Sequence, residues 1–406
     1  MTTNTLEQKR YFSFELLNWY TRNKRDLPWR RHRNPFYIWI SEIMLQQTRV
    51  DTVIPYFNRF IARFPTIEAL AEAPEEDVLK LWEGLGYYSR ARNLQTAAKQ
   101  VVELHGGQVP DDTQAVAALK GVGPYTTGAI MSIAFNRPEP AVDGNVMRVL
   151  SRYFLIEEDI MKGSTRAHME SLVRELIPEG RASDFNQALM ELGALVCTPK
   201  SPHCLTCPVM EHCSGRLAGR EETLPVKTKA KPPRLEPRSV ALIEGSGANT
   251  GRLLVRQRPA KGLLARMWEL PHELADNGPV PDEPAMDHLA AHLLAEGVLA
   301  RPVRFVREAE HTFSHIHWNL RVFQCEEVAA PAEEAGGPPL AAEQRASYST
   351  GAKPGALIAL AEQTEHARNV LPAGYRWISE ADMATLAFPK VFLDLITEYY
   401  AKQKGN

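Results

Sequence analysis

Long apolar runs are missing from this chain of 406 residues, cysteine is scarce, and neither sign of charge is in excess. No apolar stretch approaches the ~18 residues needed to span a bilayer, so a membrane-embedded protein is excluded. The first ten residues, Met1 to Arg10, are polar and lack the apolar core of a signal peptide, so export is not expected. A cytoplasmic chain is expected, or a nuclear one if eukaryotic. Five cysteines are too few for a disulfide framework in such a chain. A net charge of −2 removes the simplest argument for a polyanionic partner. The length itself suggests more than one domain.

The average charge hides a division. Residues 1–237 hold 30 basic and 28 acidic side chains, residues 238–406 hold 17 and 21. Within 22–49, seven cations (Arg22, Lys24, Arg25, Arg30, Arg31, Arg33, Arg49) face only Asp26 and Glu42. Such a run is either a solvated face or a phosphate-binding one. The apolar pattern divides at the same place. Residues 1–224 carry helical spacing, as in Leu172, Val173, Leu176 and Ile177 before Pro178. Residues 225–237 are rich in proline, lysine and arginine, which predicts an extended linker. Beyond it the period becomes two, at Arg238–Glu244, Arg252–Arg258 and Trp318, Leu320, Val322, with helical stretches at about 284–296 and 389–402. Residues 238–406 are therefore expected to be α+β, with a flexible insertion at about 329–366 where Ala, Glu, Pro and Gly dominate.

Four of the five cysteines, Cys197, Cys204, Cys207 and Cys213, follow the spacing C-x6-C-x2-C-x5-C. Four soft thiolates that close suit zinc or an iron-sulfur cluster, and the spacing alone does not choose. At about 113–135, Gly121-Val122-Gly123-Pro124 interrupts helical spacing and predicts a helix-hairpin-helix. Its turn presents backbone N–H groups at a helix N-terminus, which suits a phosphate, although a simple helical hairpin has the same pattern. Asp143 precedes a helix with Val146, Val149, Leu150 and Tyr153 on one face, the position of an N-cap. Glu42 is a lone carboxylate within Phe36–Leu45, so it either turns to solvent or is desolvated into a neutral acid.

Taken together, Leu27-Pro28-Trp29-Arg30, Ser41–Thr48, Gly84–Arg90, Gly121–Thr126, Val142–Asn145 and the cysteine loop resemble the helix-hairpin-helix DNA glycosylases of the MutY type, the adenine DNA glycosylases. The likeness extends over residues 5–225 and more loosely over 238–400. It implies a multidomain architecture, with an all-α helix-hairpin-helix glycosylase domain and a Nudix-like α+β domain. It also implies a 4Fe-4S cluster on the four cysteines. The expected partner is double-stranded DNA bearing adenine opposite 8-oxoguanine or guanine, bound by a monomer without a membrane, the adenine being flipped into a pocket.

The resemblance also assigns roles. Glu42 is the expected general acid at adenine N7, and Asp143 the anion facing the sugar. Asn145 is expected to orient the acid or a water, and Tyr125 to support Asp143 or the leaving group. Position 125 is a lysine in bifunctional relatives, so Tyr125 implies excision without strand cleavage. Trp29 and Arg30 are expected to line the adenine pocket, Gln47 and Tyr87 to wedge into the duplex, and Thr48 and Leu85 to contact the 8-oxoguanine side. Gly121 and Gly123 belong to the DNA-binding hairpin.

In the second domain, Phe313-Ser314-His315 matches the family's lesion-probing loop, with Ser314 a hydrogen-bonding partner of the oxidised base. The carboxylate pair that a Nudix hydrolase needs for magnesium is replaced by Leu294-Ala295. Lesion recognition rather than hydrolysis is expected. Two rivals remain: a thymine-mismatch glycosylase of the same superfamily, and a noncatalytic iron-sulfur protein that binds DNA or carries electrons.

Overall fold

The chain divides into two compact units, Met1–Ala230 and Lys231–Asn406. A computed structural model describes residues 2–229, 231–275, 282–328 and 371–404. The insertion expected at 329–366 lies outside the described residues. Among those described, no helix is long and apolar enough to cross a membrane.

The first unit is helical: α1 (Thr2–Asn23), α2 (Pro35–Leu45), α3 (Val50–Arg63), α4 (Ile67–Glu72), α5 (Glu75–Trp82), α6 (Ser89–His105), α7 (Thr113–Ala118), α8 (Pro124–Ile133), α9 (Gly144–Tyr153), α10 (Gly163–Leu176), α11 (Ala182–Leu195) and the short α12 (Ser214–Leu217). Val146, Val149, Leu150 and Tyr153 recur at the spacing that puts them on one stripe of α9. That stripe packs with Phe12 and Leu16 of α1, Met169 and Val173 of α10, and Phe185, Leu189 and Leu192 of α11. Three of the loop cysteines, Cys197, Cys207 and Cys213, pack on the edge of this core. A smaller core of Ile38, Ala129, Ile133 and Ala141 joins α2 to α8 and to the segment entering α9. Gly128 permits that approach, because a Cβ there would lie 1.9 Å from the Pro140 carbonyl oxygen. The segment leading to Asp143 therefore runs directly against the helix that carries Tyr125.

The second unit is one twisted sheet between helices. Its strands are β1 (Arg234–Glu244), β2 (Leu253–Gln257), β3 (Trp268–Glu269), β4 (His272–Leu274), β5 (Ala300–Thr312), β6 (Ile316–Glu327) and β7 (Tyr375–Ile378), with α13 (Asp282–Ala295) and α14 (Lys390–Lys404). The strand order is β3-β2-β1-β6-β5, with β4 also on β1 and β7 on β2. β1 and β6 are parallel, Val240 opposite Val322. Alternation along β1 sends Val240 and Leu242 into one core with α14, and Ala241 and Ile243 into the other with α13.

One boundary differs from the sequence expectation. The stretch 225–237 is not linker throughout, because β1 begins at Arg234, where Arg234 to Pro237 pair with Ile316 to Asn319 of β6. Its first residues are tied to the helical unit: Ile160 N–H donates to the Val226 carbonyl at 3.1 Å, and Thr228 bonds Asp159.

Candidate active site

A cavity of about 720 Å³ in the helical unit is lined by Trp29, Arg30, Glu42, Gln46, Tyr125, Asp143, Asn145 and Glu191 among others. α2 starts cleanly, with Asn34 accepting from Phe36 N–H at 2.9 Å and Pro35 in the first turn. The helix then presents Glu42 inward, where only 4% of the residue is exposed. Tyr125 Oη donates to Glu42 Oε2 at 2.5 Å. Desolvation pushes Glu42 up to about 7, helped by the neighbouring charge of Asp143 and opposed by the Tyr125 hydrogen bond and by Arg30. The Tyr125 hydroxyl is itself held well above its ordinary 10 by burial and by both carboxylates, so it stays a donor.

Asp143 caps α9, its Oδ1 accepting from Val146 N–H at 2.8 Å and its Oδ2 from Asn145 Nδ2 at 2.9 Å. Burial raises this carboxyl too, while those hydrogen bonds and the charge of Arg148 hold it down. The two carboxyls thus share one cavity in different surroundings, one with a single hydroxyl partner and one with several donors. The hydrogen bonds pair Tyr125 with Glu42 and Asn145 with Asp143, where the resemblance implies Tyr125 beside Asp143 or the leaving group and Asn145 beside the acid or a water.

Trp29 is buried, and Arg30 is fixed by a residue the sequence reading missed. Glu191 of α11, 1% exposed, accepts from Arg30 at 3.1 and 2.9 Å and from the Arg25 guanidinium at 2.9 and 2.7 Å. Burial opposes its charge, yet the two arginines bring it down to about 2. The available signal was a lone carboxylate among Leu189, Met190 and Leu192, the same pattern that marked Glu42.

Gln47 and Tyr87 are exposed, and both hold positive φ, +58° and +46°, which is uncommon for side-chain-bearing residues and concentrates at functional sites. Thr48 is half-buried beside Gln47. Leu85, expected to reach DNA, is instead packed inside with 6% exposure. In the hairpin, Gly121 adopts φ +77° and Gly123 is the residue before α8, exposed as its N-cap.

The cysteine loop follows α11. All four thiols line one small cavity together with Arg152 and Arg216. Among the described residues no three His, Cys, Asp or Glu side chains converge on a point that would hold one metal ion. Burial first, and then the charges of the neighbouring cysteines, push the Cys207 thiol up to about 12, and bound iron would hold it as the thiolate. Arg152, 2% exposed, donates to Thr198 O at 2.7 Å and Pro199 O at 3.1 Å and lies 3.4 Å from Cys197 Sγ. The residues present fit an iron-sulfur cluster.

In the second unit, Phe313-Ser314-His315 forms the turn between β5 and β6, closed by Phe313 N–H donating to Ile316 O at 2.7 Å. Phe313 packs edge-on against buried Trp318, with centroids 4.8 Å apart, leaving Ser314 and His315 exposed. Leu294 and Ala295 lie in α13. The nearby carboxylates Glu269 and Glu296 both pair with Arg256, at 3.0 and 2.8 Å. The Arg256 guanidinium thus engages both carboxylates.

Comparison with known proteins agrees with this division. Residues 40–175 match the HhH-GPD superfamily of base excision DNA repair proteins, 197–213 the iron-sulfur binding domain of endonuclease III, and 245–398 the NUDIX domain. The fold and site therefore define a base excision repair DNA glycosylase, a hydrolase of N-glycosyl bonds that carries a 4Fe-4S cofactor and a Nudix-like domain. The chain is 39% identical over 366 residues to the adenine DNA glycosylase of Rattus norvegicus, across 77% of this chain and 70% of that protein. It is 35% identical over 451 residues to that of Homo sapiens, across 97% and 75%. Similarity also extends to the structure of a thermostable thymine-DNA glycosylase, at 31% identity and TM-score 0.48, over 53% of this chain and 99% of that one. The chain belongs to the adenine DNA glycosylase family.

Proposed function

We propose that the enzyme removes adenine mispaired with 8-oxoguanine, or with guanine, by acid-assisted departure of the flipped base. The observation that carries this reading is the pairing of Glu42 and Asp143 in one cavity, the first raised to about 7 and hydrogen-bonded by a hydroxyl that stays protonated. A carboxyl near 7 is protonated often enough at neutral pH to donate to adenine N7, a step worth roughly 10²–10⁴ in rate. As the C1′–N9 bond breaks, its electron pair leaves with the base and positive charge grows on the sugar. The Asp143 carboxylate, steered by Asn145, faces that charge. Water then adds at C1′ and gives up a proton, leaving an abasic site in an intact strand. Tyr125 stands where a Schiff-base lysine would be required for strand cleavage, and its hydroxyl is engaged by Glu42.

Around this centre, Trp29 and Arg30 form the adenine pocket, and Gln47 and Tyr87 wedge into the duplex with Thr48 at their side. Leu85 supports that wedge from inside. Gly121 and Gly123 present the hairpin turn to a phosphate. Ser314, held out by Phe313 beside His315, reads the oxidised base. Cys197, Cys204, Cys207 and Cys213 hold the cluster, which cross-links their loop, while Arg152 faces the charge of the thiolates.

The test incubates the protein with duplexes containing A·8-oxoguanine, A·G or T·G and reveals abasic sites with alkali. Excision is expected at A·8-oxoguanine first and A·G second. Processing of T·G with A·8-oxoguanine untouched would sink the adenine pocket assignment. Ser314→Ala is expected to narrow the preference for 8-oxoguanine over guanine, and an unchanged ratio would take the lesion-reading role from Ser314.

A further inference from the structure

The residues that enter DNA in the reading above come from two segments far apart in sequence, and one side chain fastens them together. Arg90, in the first turn of α6, donates through Nη1 to the carbonyls of Ile43 at 2.6 Å, Met44 at 3.1 Å and Gln46 at 2.8 Å. Through Nη2 it donates to the carbonyls of Leu85 at 3.2 Å and Gly86 at 3.1 Å. The same guanidinium lies over the rings of Trp82 and Tyr87, 5.4 and 5.7 Å from their centroids.

The acceptors on the first side belong to the C-terminal end of α2, whose last carbonyls have no partner within the helix. Thr48 N–H takes the remaining Leu45 carbonyl at 3.2 Å. The acceptors on the second side precede Tyr87. Gln47 and Tyr87, both exposed and both at positive φ, therefore each adjoin a carbonyl that Arg90 holds. Backbone in that region persists only where the surroundings over-determine it, and a planar fork bonding to both loops at once does so. A lysine ammonium, a point donor on a flexible stem, reaches one set of carbonyls but not both.

We propose that Arg90 is a positioning residue that locks the Gln47 loop and the Tyr87 loop into one rigid wedge, so that insertion into the duplex drives adenine out of the stack. The proposal rests on the wedge role given to Gln47 and Tyr87. Arg90 does not touch the reacting atoms. It acts on the unstacking step, whereas a residue that merely supported the Glu42 helix would act on the chemical step.

The experiment uses the full-length, cluster-loaded enzyme, with loading checked by visible absorption, and compares Arg90→Lys and Arg90→Gln with the parent. Single-turnover excision is measured on A·8-oxoguanine in a fully paired duplex and on the same pair inside a short bubble, where unstacking is already done. Both variants are expected to lose about a hundredfold on the duplex, since unstacking a step costs enough energy to set such a factor, and only a few-fold on the bubble. In a Tyr87→Ala background the duplex loss from Arg90→Lys should largely vanish, because the two residues act on one device. Equal losses on duplex and bubble, with Tyr87→Ala selective for the duplex, overturn the strap while leaving the wedge intact. A Tyr87→Ala enzyme as fast as the parent on the duplex overturns the wedge reading and the proposal with it.

Discussion

The Tyr125 hydroxyl donates to Glu42 Oε2 at 2.5 Å, and this contact joins α8 to α2 across 83 residues of sequence. It sets a compromise. Burial drives Glu42 toward neutrality, and a single donor keeps it from rising out of the useful range. Asp143, a cavity neighbour, is also raised by burial, but it has what Glu42 lacks, a backbone N–H and an amide donating to it, and both favour its charge. One cavity thereby holds two carboxyls in different surroundings, the asymmetry that the proposed acid and anion require.

The pH profile should report that compromise. With Glu42 at about 7, the protonated fraction falls about tenfold for each unit of pH above that value, and single-turnover excision should fall with it. Tyr125→Phe removes the hydrogen bond that favours the carboxylate, so the alkaline limb should move to higher pH. Rates measured from about pH 5 to about pH 9 check this. A limb that moves to lower pH in Tyr125→Phe would contradict the acid role of Glu42.

Glu42 also has a stability signature. Its folded value of about 7 lies above the ordinary 4.5, so the native state binds the extra proton between those values. Stability contributed by the neutral carboxyl is complete below about 4.5 and is lost as pH rises through about 7. Glu42→Gln cannot ionise, and above that window it should be more stable than the parent by up to about 3 kcal/mol. Thermal melting at about pH 5 and about pH 8 tests it: the gain in Tm should be larger at the higher pH. The same variant should bind mispaired DNA and lose excision by several kcal/mol of barrier.

The cysteine loop makes a further prediction. Arg152 is buried with its donors committed to loop carbonyls, and Cys207 and Cys213 pack on the main helical core. Removing iron by oxidation and chelation should abolish visible absorption and open residues 197–213 to proteolysis, while most helical circular dichroism survives because α1, α9, α10 and α11 close the core by themselves. Intact protection of the loop after iron loss would show that the cluster does not hold it.

Much of this was readable from sequence, for reasons particular to each element. Alternation marked β1 and β6 because each buries alternate residues on two faces. Glu42 stood out because every neighbour on α2 is apolar or small. The start of β1 was hidden because Arg234 to Pro237 look like linker, and only pairing with β6, some eighty residues away, makes them strand. Local spacing likewise could not show that Tyr125 serves the acid, that Glu191 clamps Arg30, or that Arg90 reaches back to α2. Each depends on helices docking across long separations.

Asp143 carries a structural burden and, in the proposed mechanism, a chemical one, and two substitutions separate them. As N-cap of α9 it accepts from Val146 N–H, a duty that asparagine performs about as well. Asp143→Asn should therefore melt close to the parent while excision falls by about 10²–10³ or more, because only the charge facing the sugar is gone. Asp143→Ala should lose the same activity and, in addition, about 1 kcal/mol of stability from the uncapped helix. If Asp143→Asn keeps near-parental turnover in single-turnover assays, the carboxylate is a cap and nothing more, and the stabilising anion must come from elsewhere in the cavity. If both variants melt alike, the cap is not what α9 depends on. The buried stripe of Val146, Val149, Leu150 and Tyr153 would then suffice to hold the helix start in place.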